Sequence, residues 1–281
     1  MTKALKAEAR TTSRDWSLLV CLAVYIGFML IVASMAKYLH IVPYKIWPLD
    51  ELNRMYLTSF TNLEDFISWH DAYIFTPDRW FMDWMSANEV TPFLAMIFPA
   101  FLIGRAFTSR TINIPVYAGI SRGRILVSKV IVSYIVLAVF SFVGVWVPQL
   151  FYGHGVPGIL SAGAVWTRVG LRILLDCAVM SIPVMVTFIF RDVIRSFAVN
   201  IAYILAYGTV ISRIQGNPII DFINKHHPMR LATTLGEHFG YGVPGIPLTS
   251  GRVIYLVGVS VGTIAVTSGI SYLLFRKAEL K

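Results

Sequence analysis

Apolar residues along this chain do not alternate and do not recur as a narrow stripe; they run on. Six stretches are almost free of Asp, Glu, Lys and Arg: about 16–36, 88–104, 130–151, 173–190, 196–212 and 253–275, with Glu89 at the edge of the second and Asp176 inside the fourth as the two acids. A helix needs about 20 mostly apolar residues to cross a hydrocarbon core of ~30 Å, where backbone N–H and C=O groups find no water. The pattern therefore predicts an all-α polytopic membrane protein with six spans. The second stretch is charge-free only from Val90 to Gly104. It must borrow preceding residues or sit tilted and kinked. The fourth and fifth are separated only by Arg191 to Arg195.

Between the spans lie outer segments 37–87, 152–172 and 213–252 and shorter, basic inner segments. With the boundary of the first loop drawn at Glu89, the 51 inner residues hold 14 basic and 4 acidic side chains, and the 114 outer residues hold 10 of each. The basic density is about three times higher inside, which by the positive-inside rule puts both termini in the cytoplasm. The expected location is the cell (plasma or inner) membrane, multi-pass. The first span has a basic lead-in and could pass for a signal peptide, but its apolar region is 21 residues against the 7–15 of a signal h-region. An uncleaved anchor is expected.

Composition agrees. Of 281 residues, 56% are hydrophobic and 14% charged, and mean hydropathy is +0.67; soluble domains carry about 25% charged residues. No soluble domain separates, so 1–281 reads as one membrane domain. The net charge of +9 is explained by inner loops and anionic lipid, and nucleic acid is not an expected partner. Cys21 and Cys177 fall inside spans and read as small apolar packers.

Several local features follow. Residues 2–10 form either a short basic amphipathic helix on the inner surface or a solvated tail. The first outer loop holds eight acidic residues and many aromatics, including Asp78-Arg79-Trp80 and Asp83-Trp84, and is expected to fold back on the outer surface. Gly153 to Ile159 ("GHGVPGI") nearly repeats at Gly240 to Ile246 ("GYGVPGI"); Val-Pro-Gly suits a type II turn. Gly258, Gly262, Ala265 and Gly269 place small residues on one side of the last span, for close packing within the chain or against a second copy.

Catalytic signatures are missing. No glycine is followed by lysine, so there is no phosphate-binding loop, and H-E-x-x-H and C-x-x-C are absent; Gly119-Ile120-Ser121-Arg122-Gly123 fits G-x-S-x-G by its letters but stands between two expected helices, not at a strand-to-helix turn. The chain is not expected to be an enzyme or to hold a cofactor or metal. His226, His227 and His238, beside Glu237, match no zinc spacing and read as polar loop histidines. Asp176 lies four residues after Arg172. A local pair near the headgroups, with the arginine reaching outward, is the plain expectation; a cation or proton path is the sharper one.

The connector "FLIGRAFTSRTINIPVYAGISRGRILVSKVIV" is the most informative stretch. Arg105, Arg110, Arg122, Arg124 and Lys129 place it inside, while Ile112, Ile114, Val116 and Tyr117 make it half apolar. Pro115 fits the first turn of a short helix, Gly119 can end it, and Ser121 can cap the next. Arg122 and Arg124 then sit at a helix N-terminus, where the macrodipole disfavours cations, so topology, lipid headgroups or a partner protein must account for them. A short, rigid knob joined tightly to two spans is suited to transmitting a push.

Arg110-Thr111-Ile112, Ala118-Gly119-Ile120-Ser121-Arg122 and Val127-Ser128-Lys129 resemble the segment between the second and third spans of permease subunits of type-2 ATP-binding-cassette exporters. Two positions differ: Ala106 stands where a glutamate is common, and Pro115 interrupts the helix. The resemblance implies that the segment is a coupling helix docking on a separate ATPase subunit through Arg110, Thr111, Ile112, Ile114, Pro115, Val116, Tyr117, Gly119, Ser121 and Arg122. It implies ATP and Mg in that partner, a second permease chain, and export of a cargo that the apolar spans incline toward lipid-like, peptide or drug-like compounds. An ion-coupled secondary transporter and a non-transporting membrane assembly or immunity factor are the alternatives.

Overall fold

The computed structural model describes residues 5, 8, 16–41, 48–56, 59–74, 81, 90–152, 161–207, 214, 216–235 and 248–276. Most of the N-terminal segment, the Asp78–Trp84 patches, both Val-Pro-Gly turns, Glu237, His238 and residues 277–281 lie outside the described residues.

Among the described residues every regular element is helical. In chain order they are α1 (Trp16–Ile41), α2 (Leu49–Tyr56), α3 (Leu63–Ile74), α4 (Val90–Pro99), a π-helical turn (Ala100–Gly104), α5 (Arg105–Thr108), α6 (Asn113–Tyr117), α7 (Arg122–Tyr152), α8 (Ala162–Phe190), α9 (Val193–Leu205), α10 (Pro218–His226), α11 (Pro228–Thr233) and α12 (Ser250–Arg276). Among the described residues three helices are long and apolar enough to cross a membrane: Arg122–Phe151, Ala162–Phe190 and Ser250–Arg276. They are the ground for reading this as a membrane protein. Shorter apolar stretches run over Val20–Val32, Phe93–Thr108 and Val193–Leu205. At 1.5 Å per residue, the 13-residue α9 spans about 20 Å, less than the hydrocarbon thickness.

Local sequence sets where these helices start and stop. Ser161 caps α8 by accepting a bond from the Ala164 N–H at 3.3 Å. At its far end Arg191 turns left-handed (φ 54°), and Asp192 accepts from the Arg195 N–H at 2.9 Å to start α9. Two residues thus reverse the chain, fewer than the five expected from the charges. At the other end, residues 162–172, expected in an outer loop, form the first turns of α8. Pro99 cannot donate a backbone bond, and the helix widens into the π turn just after it.

Helix α8 is the hub. It packs on α12, α4, α7, α11 and α9, whereas α1 lies mainly on α7. Two apolar clusters line it. One gathers Phe81, Val145, Val165, Val169, Leu175, Leu231 and Leu256. The other gathers Met29, Phe98, Leu137, Phe140, Val179, Met180 and, at its base, Phe107, Ile112, Ile125, Phe188 and Phe275. The rings of Phe107, Phe188 and Phe275 lie 5.4–5.9 Å apart, two of the three contacts edge-on. Such pairs contribute about 0.5–1.5 kcal/mol each, which matters where lipid tails weaken the hydrophobic drive between helices. Hydroxyls in the last helix bond back to their own turns: Ser260 to the Leu256 carbonyl, Thr267 to Thr263 and Ser271 to Thr267. This is how polar side chains are satisfied in an apolar helix.

Candidate functional site

The connector between α5 and α7 is built from two helix stops. Ser109 donates its hydroxyl to the Arg105 carbonyl at 2.7 Å, and Arg110 turns left-handed (φ 59°). The chain then folds back, with the Ile112 N–H bonding to the Ala106 carbonyl at 3.0 Å. The short helix α6 follows, with Pro115 in its first turn. It ends at Gly119 (φ 77°). The Gly119 N–H donates to Val116 O at 3.0 Å and the Ile120 N–H to Pro115 O at 2.9 Å, the bond pair of a Schellman motif. The next helix begins right after Ser121.

A left-handed L-residue costs about 1 kcal/mol, a penalty glycine escapes. Arg110→Gly should therefore raise the thermal midpoint of the detergent-solubilised protein. A lowered midpoint would mean that the arginine side chain contributes more than its backbone costs.

The connector has two faces. Ile112 and Asn113 are buried, and Val116 and Ile120 pack against the phenylalanine cluster at the base. On the other face Ile114 is 66% exposed and Tyr117 81% exposed. Arg105, Arg110, Thr111, Ser121 and Arg124 are exposed as well, whereas Pro115 and Arg122 are half-buried. Ile112, expected to meet a partner, instead anchors the knob from beneath.

Arg122 is also placed differently from expectation. It does not turn outward: its guanidinium donates to the Arg276 carbonyl at 3.0 Å and approaches the Phe275 carbonyl at 3.5 Å. A cation at the N-terminus of one helix is accounted for by the carbonyls at the C-terminus of another, where the dipole favours it. The partner is 153 residues away, so no local pattern could reveal it. A second attachment joins the connector to α9. The Thr108 hydroxyl oxygen accepts from the Val193 N–H at 3.3 Å, and a Cβ on Gly104 would meet the Val193 backbone at 3.3 Å. A third involves Lys129, buried, whose Nζ pairs with Glu8 at 2.9 Å.

A second polar centre lies within the helices. Arg172 Nε faces both oxygens of Asp176 at 3.2 Å. Ser141 of α7 donates its hydroxyl to Asp176 Oδ2 at 2.7 Å. Arg172 is 2% exposed and Asp176 0%. The i,i+4 pair expected from the sequence is there, but the arginine does not reach outward. It stays inside, at the seam between the two apolar clusters. Ser141 could not have been found from spacing, since only tertiary packing brings α7 to that carboxylate.

His226 and His227 are structural, not solvated loop residues. His227 Nδ1 accepts from the Met229 N–H at 3.2 Å and so caps α11. Its proton then sits on Nε2, which bonds the Tyr203 hydroxyl. Its ring stacks on Tyr207 with centroids 3.8 Å apart. His226 Nδ1 meets the Tyr255 hydroxyl at 2.5 Å. Among the described residues no three His, Cys, Asp or Glu side chains converge on a metal position.

Burial pushes His227 down to about 4, from 6.5. The neutral ring is favoured in the folded state, so its contribution is complete above the unfolded value. It is lost as pH falls from about 6.5 through about 4, because the unfolded chain takes up the proton first. At about 1.4 kcal/mol per unit, this corner should lose a few kcal/mol over that window. His227→Gln should flatten the pH dependence of the melting midpoint between pH 7 and 4; an unchanged slope would assign the acid sensitivity elsewhere.

Gly258, Gly262, Ala265 and Gly269 lie on an exposed side of α12. No heavy atom comes within 4 Å of a Cβ built on any of the three glycines. Among the described residues nothing packs closely on these positions. No protein-family model and no curated protein matches the chain.

Proposed function

We propose that this chain is the membrane-spanning subunit of an ATP-binding-cassette exporter, driven by a separate ATPase. The observation that carries the reading is the connector. A side-by-side isoleucine and tyrosine stand exposed on a five-residue helix, rimmed by arginines and tied beneath to α9 and α12. An apolar, basic-rimmed knob of that kind fits a groove with an apolar floor and acidic edges. Its ties would convert movement of a docked partner into movement of helices. In this reading the chain has six spans with both termini in the cytoplasm, pairs with a second permease chain, and carries lipid-like, peptide or drug-like cargo. ATP and Mg belong to the partner. Nucleotide-driven closure of the ATPases favours one of two helix arrangements by differential binding.

The chain should co-purify in mild detergent with an ATPase that bears a phosphate-binding loop. The pair should hydrolyse ATP faster than the ATPase alone. A chain that purifies alone and moves a solute in vesicles without ATP would overturn the proposal.

One observation favours a second reading. Ion-coupled transporters carry buried ionisable groups along their path, and Asp176 is such a group. Its bonds to Arg172 and Ser141 also suit a structural clamp. Flux driven by an imposed proton or sodium gradient, and lost in Asp176→Asn, would support ion coupling.

A further inference from the structure

We infer that Arg122 is a positioning residue that ties the coupling knob to the last membrane helix, so that displacement of α6 is delivered to the C-terminal end of α12. The inference rests on the coupling role proposed for α6, and it changes what Arg122 does within that role. Its guanidinium does not belong to the docking face; it closes on the Phe275 and Arg276 carbonyls at 3.5 and 3.0 Å.

Two further contacts make the same joint. Gly123, the next residue, lies so close to Tyr272 of α12 that an added Cβ would meet the ring at 3.1 Å. Phe275 then wedges against Phe107 of α5 and Phe188 of α8. The first turn of α7 is thus fixed to the last turn of α12 by a charged hydrogen bond and a close approach of Gly123 to Tyr272, while the phenylalanine rings wedge α5 and α8 against the same turn of α12. Only Ile120 and Ser121 separate Arg122 from Gly119, where α6 ends. Nothing flexible is interposed, because Gly119 is locked by its two capping bonds. The rest of α12 is largely exposed. Its far end is attached through Arg252, which donates to the Thr234 hydroxyl at 2.8 Å. Between the ends, Leu256, Ser260, Thr267 and Ser271 are buried and α12 packs on α8; a helix tied at both ends, packed on one side and free on the other, is suited to pivoting about that seam.

The test uses the full chain with its ATPase in proteoliposomes. Spin labels at Val139→Cys on α7 and Val266→Cys on α12, both exposed positions, report the distance between the helices in a Cys21→Ser background. In the parent chain the distance should differ between ATP- and ADP-loaded complexes. Arg122→Gln should abolish that difference while ATPase affinity stays within about twofold, well under the tenfold of one charged bond. Arg122→Lys keeps a cation facing the same carbonyls and should restore much of the shift. Gly123→Ala leaves Arg122 in place but forces Tyr272 to move, and should weaken the shift if the joint matters; it serves where Arg122→Gln fails to fold.

A full nucleotide-dependent shift in Arg122→Gln overturns the inference. So does a loss of ATPase affinity in step with the shift, which would return Arg122 to the docking face. A parent complex with no shift overturns the coupling reading itself, and is told apart because it does not depend on residue 122.

Discussion

Asp176→Asn should destabilise the protein by about 3–5 kcal/mol, the range seen when one member of a buried ion pair is removed. Asparagine keeps the shape and can still accept from Ser141. What it removes is the charge facing Arg172, which is 2% exposed and cannot turn to water without leaving the helix bundle. Truncating Ser141 to alanine should cost less, about 1.5–3 kcal/mol, because Asp176 would lose one charged hydrogen bond and keep its arginine. Replacing the pair together, as Arg172→Met with Asp176→Leu, should be neutral or even stabilising. The order of the three in a denaturant titration of the detergent-solubilised protein is the check. If Asp176→Asn proves as stable as the parent, the carboxyl carries no charge in the folded protein and the pair is not ionic.

The second large effect concerns the exposed face of α6. Ile114→Asp combined with Tyr117→Asp should weaken ATPase binding by more than about a hundredfold. Buried aromatic and aliphatic anchors at interfaces are commonly worth 2 kcal/mol or more apiece, and each aspartate would also be desolvated without a partner. Stability of the isolated chain should move by less than about 0.5 kcal/mol, as for exposed sites generally. Ile112→Asp, two positions before Ile114, should do the reverse and unfold the base, since Ile112 lies in the phenylalanine cluster. Binding isotherms and melting curves on the same three proteins separate the cases. Unimpaired binding by the double variant would remove α6 from the interface.

What could be read from the chain divides by range. Runs of apolar residues announced the long helices around 130–151, 173–190 and 253–275, because hydropathy is a local sum. The stops of α6 were legible too: Gly119 takes the left-handed turn that glycine favours. Arg110 and Arg191 adopt the same conformation without any residue type to announce it. The start of α8 was missed because Arg168 and Arg172 look like loop residues by composition; their burial comes from the helices packed around α8, which composition does not report. The sequence leaves Arg122 unexplained by its own helix and points outward, to lipid or a partner. Its explanation needed α12 brought beside it, which no spacing rule encodes. The small residues of α12 stand uncovered for the same reason: a period shows which side they share, not what faces that side.

The π turn at Ala100–Gly104 has a consequence for chain length. Such a turn is an α-helix carrying one surplus residue. Losing a residue there lets the helix relax to ordinary winding and leaves everything downstream in phase. Losing one in Val90–Pro99 would swing Phe107 by about 100°, away from Phe188 and Phe275. The surplus residue therefore works as a built-in slip ring: tolerance to deletion is concentrated in those five positions, on the very helix that aims the connector.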